Sequence, residues 1–184
     1  MGVRPSHLSL VTALNRLGAV AVLLSPEIDR AGLVEVLRSE PLRALGCDPD
    51  NAGRARALFD GDVLVLGGVG GARPLDAGVV DLEAIDPAAV TLPAWYHPDG
   101  GLARDLGLVL VRRGHGGEQR MSRVSNGRWA FSALGVSSAA TLTPEDTVYS
   151  CLPLHHPAGI MVSLGGALVS GARLALSEGF EPGR

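Results

Sequence analysis

The feature that most constrains this chain is an alternation in its first third. Stretches with apolar residues at helical spacing give way to short runs that are apolar without interruption. Leu8, Val11, Leu14 and Leu17 recur at helical spacing over residues 6–17, and Gly18 ends the stretch. Residues 19–24 are then apolar at every position, which suits a strand buried on both faces. The pattern repeats as a helix over 26–38, a strand over 42–47, a helix over 50–59 and a strand over 62–66. Such strand–helix–strand alternation predicts an α/β fold, with a mostly parallel sheet and helices on both faces.

Beyond Leu66 the pattern weakens, and glycine, proline and aspartate become frequent. An irregular connection over 67–104 is expected inside a single domain, 1–184. The next buried strand is expected at 106–111, followed by a glycine-rich, charged loop over 112–121. Ser125 or Asn126 is placed to cap a helix running to about Ala140. A strand at 147–151, a helix over 157–168, a break at Gly171 and a strand at 173–176 complete the reading. A closing strand with no crossover helix after it suggests a piece of a larger domain.

With 46% hydrophobic and 19% charged residues, the chain can bury a core and is not a disordered segment. A net charge of −3 without a long basic run leaves no footprint for nucleic acid. Cys47 and Cys151 lie far apart and outside any CxxC pair, so they read as reduced thiols in a cytoplasmic setting. The best apolar run, 19–24, is too short to span a bilayer, and the first residues show no leader pattern.

Three segments carry chemistry. Gly67, Gly68, Gly70 and Gly71 follow a strand, as in a dinucleotide-binding turn, but Pro74 and the weak pattern beyond it oppose the helix such a site needs. A turn is the reading there. Residues 112–120, RRGHGGEQR, are a basic glycine-rich loop at a strand end; it either wraps a phosphate with backbone N–H groups or is simply solvated. Residues 152–159, LPLHHPAG, place His155 and His156 between a strand and a helix. No further ligand residues are spaced around them for a metal, and no nucleophile pairs with them. A packing or pocket-wall role is the plainer reading.

The second and third segments stand in this order about forty residues apart, and together they resemble the AMP-forming acyl-CoA synthetase superfamily. That family has a strand, a phosphate loop like TSGTTGxPKG, a helix and a PLFH- or PLYH-type segment. Residues 165–176, GGALVSGARLAL, resemble the helix and strand that follow. Residues 10–26, LVTALNRLGAVAVLLSP, resemble an upstream family segment. The fatty-acid–CoA ligase branch is the most similar in style, and the likeness implies part of the large N-terminal domain of that fold. The resemblance implies ATP-dependent activation of a fatty acid through an acyl-adenylate, then transfer to coenzyme A. ATP, Mg2+ and CoA are the cofactors of the intact family. Carried over by position, Arg113, Gly114, Gly117 and Arg120 would line the phosphates, and His155, His156 and Gly159 would wall the acyl or adenylate pocket. No catalytic residue and no metal ligand carries over.

The departures concern the loop. Its hydroxyls and lysine are replaced by Arg112, Arg113, His115, Gly116 and Arg120, and its proline by Gln119. Arginine offers a planar fork where lysine offers a point charge. The family's adenine-stacking segment, ribose-binding acid and C-terminal lid have no counterpart in these residues. The expectation is therefore a fragment or degenerate member of a fatty-acid–CoA ligase, inactive alone, with the remainder of the synthetase on another chain as a candidate partner. The alternative is a non-catalytic module for an acyl chain, an acyl-CoA or a protein.

Overall fold

The structure, a computed structural model, describes residues 4–68, 75–98, 100–177 and 179. Part of the Gly67–Gly71 turn (Val69, Gly70 and Gly71), together with Pro74 and the last five residues, lies outside them. Pro5 occupies the first turn of α1 (Pro5–Arg16), where its missing N–H costs nothing. Gly18 follows with φ 70°, and the chain enters β1 (Ala21–Leu23). The carboxylate of Asp29 accepts from the Gly32 N–H at 2.7 Å and starts α2 (Arg30–Ser39) later than the apolar spacing suggested. β2 (Ala44–Cys47), α3 (Ala52–Leu58) and β3 (Asp62–Val65) follow as expected.

Two expectations change here. The connection 67–104 contains a strand, β4 (Val79–Asp81), which pairs in parallel with β3. The loop expected over 112–121 is mostly a hairpin: β5 (Leu106–Arg113) turns directly into β6 (Gln119–Ser125), antiparallel to it. β6 is polar because it needs little burial. Its Arg123 binds the carboxylate of Glu40, at the end of α2, through two nitrogens at 2.6 and 3.1 Å.

Ser125 caps α4 (Asn126–Ala139), accepting from the Arg128 N–H. After β7 (Thr147–Ser150) comes a π-helical stretch, Ala158–Leu164, that runs into α5 (Gly165–Ser170). Gly165 and Gly166 let α5 lie against α4. A Cβ on them would stand 3.0 Å from the Ala133 methyl and 2.9 Å from Val136. Gly171, at φ 75°, then turns the chain into β8 (Arg173–Leu176), parallel to β7.

The fold is α/β with mostly parallel pairing, as the alternation predicted. The ladders form three groups, β1–β5–β6, β2–β3–β4 and β7–β8. One core joins Val11 of α1, Leu23, Leu110, Leu154 and Ile160. A second joins Leu33, Phe59, Val63 and Val65, and a third places Val36 of α2 on Val109 and Val111. Among the described residues no helix is long and apolar enough to cross a membrane.

Candidate functional site

Strands β1 and β5 run in parallel, so Ser25 and Glu27, just past β1, lie at the same end as the tip of the β5–β6 hairpin. Leu154, just after β7, packs into the same core as Leu23 and Leu110. Hairpin tip, β1–α2 loop and histidine segment thus gather where open α/β folds bind ligands, beyond the carboxyl ends of strands.

The hairpin register divides the arginines. Arg112 pairs with Arg120 on one face, the face of Leu110 and the core that holds Leu154. Arg113 pairs with Gln119 on the other face, toward α2. Two like charges directly opposite each other repel unless an anion lies between them. Arg120 is partnered by Glu118, whose carboxylate accepts from Arg120 Nε at 2.7 Å, while Arg112 turns to the Ser122 hydroxyl at 3.5 Å. The Arg120 hydrogen bond holds the Glu118 carboxyl below its usual range, and the backbone N–H groups of Glu118 and Gly116 add to the effect.

The turn itself closes through Gly114 N–H to the Glu118 carbonyl at 2.8 Å and Gly117 N–H to the Gly114 carbonyl at 3.0 Å. Gly117 needs its φ of 89°. A Cβ on Gly114 would collide with the Glu118 carboxylate. The Gly114 and Gly117 N–H groups that a phosphate would use are therefore taken by backbone carbonyls, and Arg120 by the Glu118 carboxylate. On the other face of the hairpin, Arg113, Gly117 and Gln119 border a cavity of about 350 Å³ whose far wall carries Glu27, Asp29 and Glu35. The backbone N–H of Gln119 donates to Glu35 at 3.1 Å. Three carboxylates facing one guanidinium oppose a polyphosphate. In this arrangement the hairpin does not fit the ATP phosphates. The glycine turn after β3 is also occupied, by a side chain: Gly67 and Gly68 donate to the two carboxylate oxygens of Glu83, each at 3.1 Å.

At the histidine corner, His156 is exposed, and its Nδ1 accepts from the Ala158 N–H at 3.2 Å, capping the π-helical stretch. His155 is half-buried, and burial pushes its pKa down, with the Glu27 carboxylate opposing. Gly159 is buried under the carbonyls of Leu152 and Pro153, and a Cβ there would strike the latter. Among the described residues no group of three His, Cys, Asp or Glu side chains converges to hold a metal. Both cysteines are free. Burial, and then the Asp48 carboxylate, pushes the Cys47 thiol up to about 11, so it is no nucleophile at neutral pH.

No family model matches the chain. It is 31% identical to the medium/long-chain-fatty-acid–CoA ligase FadD6 of Mycobacterium tuberculosis over 123 residues, 62% of this chain and 20% of that protein. It is 25% identical to long-chain fatty acid transport protein 1 of Rattus norvegicus over 186 aligned residues, 98% of this chain and 28% of that protein. Its fold matches the apo structure of MbtA from Mycobacterium smegmatis with a TM-score of 0.80 at 21% identity, covering 96% of this chain and 33% of that one. The chain thus spans a fifth to a little over a quarter of the curated relatives it matches. The likeness to fatty-acid–CoA ligases supports a partial segment of the AMP-forming acyl-CoA synthetase superfamily, and the fold is that of the N-terminal domain of adenylate-forming enzymes.

Proposed function

We propose that the chain carries the phosphate-hairpin and histidine-corner portion of a fatty-acid–CoA ligase, and that within these 184 residues the hairpin is held shut by Glu118. The intact ligase would activate a fatty acid with ATP and Mg2+ and pass the acyl group to CoA. Opened, the hairpin would offer the N–H groups around Gly114 and Gly117, with Arg120 and Arg113 as counter-charges. His155 and His156 would border the acyl or adenylate pocket, with Gly159 as the close-packed floor beneath them. A cytoplasmic setting, which keeps Cys47 and Cys151 reduced, belongs to the same reading.

The observation that carries the proposal is the Glu118 carboxylate on Arg120 Nε at 2.7 Å, beside the glycines of the turn. An anion already bound must leave before a phosphate can enter, and its charge repels the newcomer. Calorimetric titration with ATP is the test. Glu118→Gln should bind ATP about tenfold tighter than the wild type, the scale of one charge-assisted contact regained. Arg120→Ala placed in that variant should return the affinity to the wild-type level. Equal affinities for wild type and Glu118→Gln, or no binding by either, would contradict the proposal.

A further inference from the structure

The stretch Ala158–Leu164 is π-helical, so its N–H groups reach back five residues where an α-helix reaches back four. Such a turn holds one residue more than an α-helical turn, and it is rare, so something must maintain it. Both of its ends are fixed by close approach. Gly159 lies under the chain before it, where a Cβ would strike the Pro153 carbonyl. Gly165 and Gly166 bring α5 onto Ala133 and Val136 of α4. Between these points the chain has a residue to spare, and the wide turn takes it up.

Trp129 meets this turn from α4. Its indole Nε1–H donates to the Ile160 carbonyl at 3.3 Å. The same carbonyl accepts from the Gly165 N–H, the five-residue bond that defines the π register. Glycine at 165 makes room for the indole, since a Cβ there would lie 3.4 Å from Nε1. Ser163 carries the same register: its hydroxyl donates to the Ala158 carbonyl at 3.3 Å, five residues back, where an α-helical serine reaches three or four. At the other end, the Ala158 N–H donates to His156 Nδ1 at 3.2 Å. That bond needs Nδ1 unprotonated, so the proton of neutral His156 sits on Nε2.

We propose that Trp129 is a positioning residue: its indole N–H holds the π register and thereby sets the aim and the tautomer of the histidine corner. For the stretch to become α-helical one end must give. Two glycines hold α5 along α4, so the end that gives is the corner. It would turn by about 100° and move about 1.5 Å along the axis, the step of one helical residue. The Ala158 N–H would then leave His156, whose proton could exchange between its two nitrogens. Ser125 ends β6 and caps α4, and Trp129 follows about one turn later. A single hydrogen bond therefore joins the helix that the hairpin starts to the histidine corner. The corner's use as a wall of the acyl or adenylate pocket rests on the function proposed above, whereas the register does not.

The test is nuclear magnetic resonance on the whole 184-residue chain. The other tryptophan, Trp95, is 76% exposed and serves as the internal reference. The Trp129 indole proton should exchange about tenfold more slowly than that of Trp95, or slower still. Couplings across hydrogen bonds should join the Gly165 nitrogen to the Ile160 carbonyl, and at about pH 8 His156 should carry its proton on Nε2. Trp129→Phe keeps an aromatic ring and removes the donor. In that variant the Gly165 coupling should pass to the Met161 carbonyl, and His156 should show both tautomers. Ser163→Ala should keep both wild-type readings. A Trp129→Phe chain that loses stability yet keeps the Ile160 coupling and the Nε2 tautomer would make Trp129 a packing residue and overturn the proposal. Equal exchange of the two indole protons in the wild type, a result that needs no variant, would overturn it too. A corner that turns in Trp129→Phe with no change in oleate binding would uphold the positioning role and count against the pocket reading instead.

Discussion

At the β5–β6 tip the Glu118 carboxylate, four residues from Gly114, holds Arg120 beside the glycine turn. Tethering gives the Glu118 carboxylate an effective concentration that a free nucleotide must overcome. At the neighbouring corner, His155 sets a pH dependence. Its pKa is lowered from the ordinary 6.5, chiefly by burial. The unfolded chain therefore takes up a proton that folded His155 resists. Stability should fall as pH drops through 6.5 toward the folded value, with no contribution above that window. His155→Asn should flatten this part of the profile. Thermal unfolding of both proteins from about pH 8 to about pH 5 checks it, and superimposable profiles would contradict it. Gly159→Ala should cost about 1–3 kcal/mol by overpacking against the Pro153 carbonyl. Urea unfolding reads that cost, and an unchanged midpoint would mean that the corner yields freely.

The elements differ in how plainly the sequence announces them. β1, β3 and β5 are buried apolar runs, and their existence and order follow from that alone. β6 escaped the sequence reading because Gln119, Arg120, Ser122 and Arg123 look like loop. Their strand state comes from pairing with β5 across the hairpin and from the Arg123–Glu40 ion pair, a contact remote in sequence. β4 is three residues next to Gly78, too short for any periodicity to register. Glu118 had a local signal, a carboxylate two residues before Arg120 inside a glycine turn, but only the hairpin register shows that the two side chains meet. The Ser125 cap was legible, and it carries a prediction at this scale. Ser125→Ala should lower stability by about 1 kcal/mol and fray the first turn of α4. Amide exchange at Arg128 checks the fraying, and unchanged protection there would show that packing alone holds that turn.

For the whole molecule, the fold and the likeness to the acyl-CoA synthetases agree, while the hairpin departs from what a polyphosphate needs. Activating an acyl group depends on positioning ATP and stabilising the pyrophosphate that leaves. Under the proposed reading Arg120 is engaged with Glu118, and the matched relatives are several times longer than this chain. Acyl-dependent pyrophosphate release by the 184-residue chain, with ATP, Mg2+ and a long-chain fatty acid, tests this most directly. The account expects no release above the level seen without fatty acid. Sustained turnover requiring both ATP and the fatty acid would contradict it.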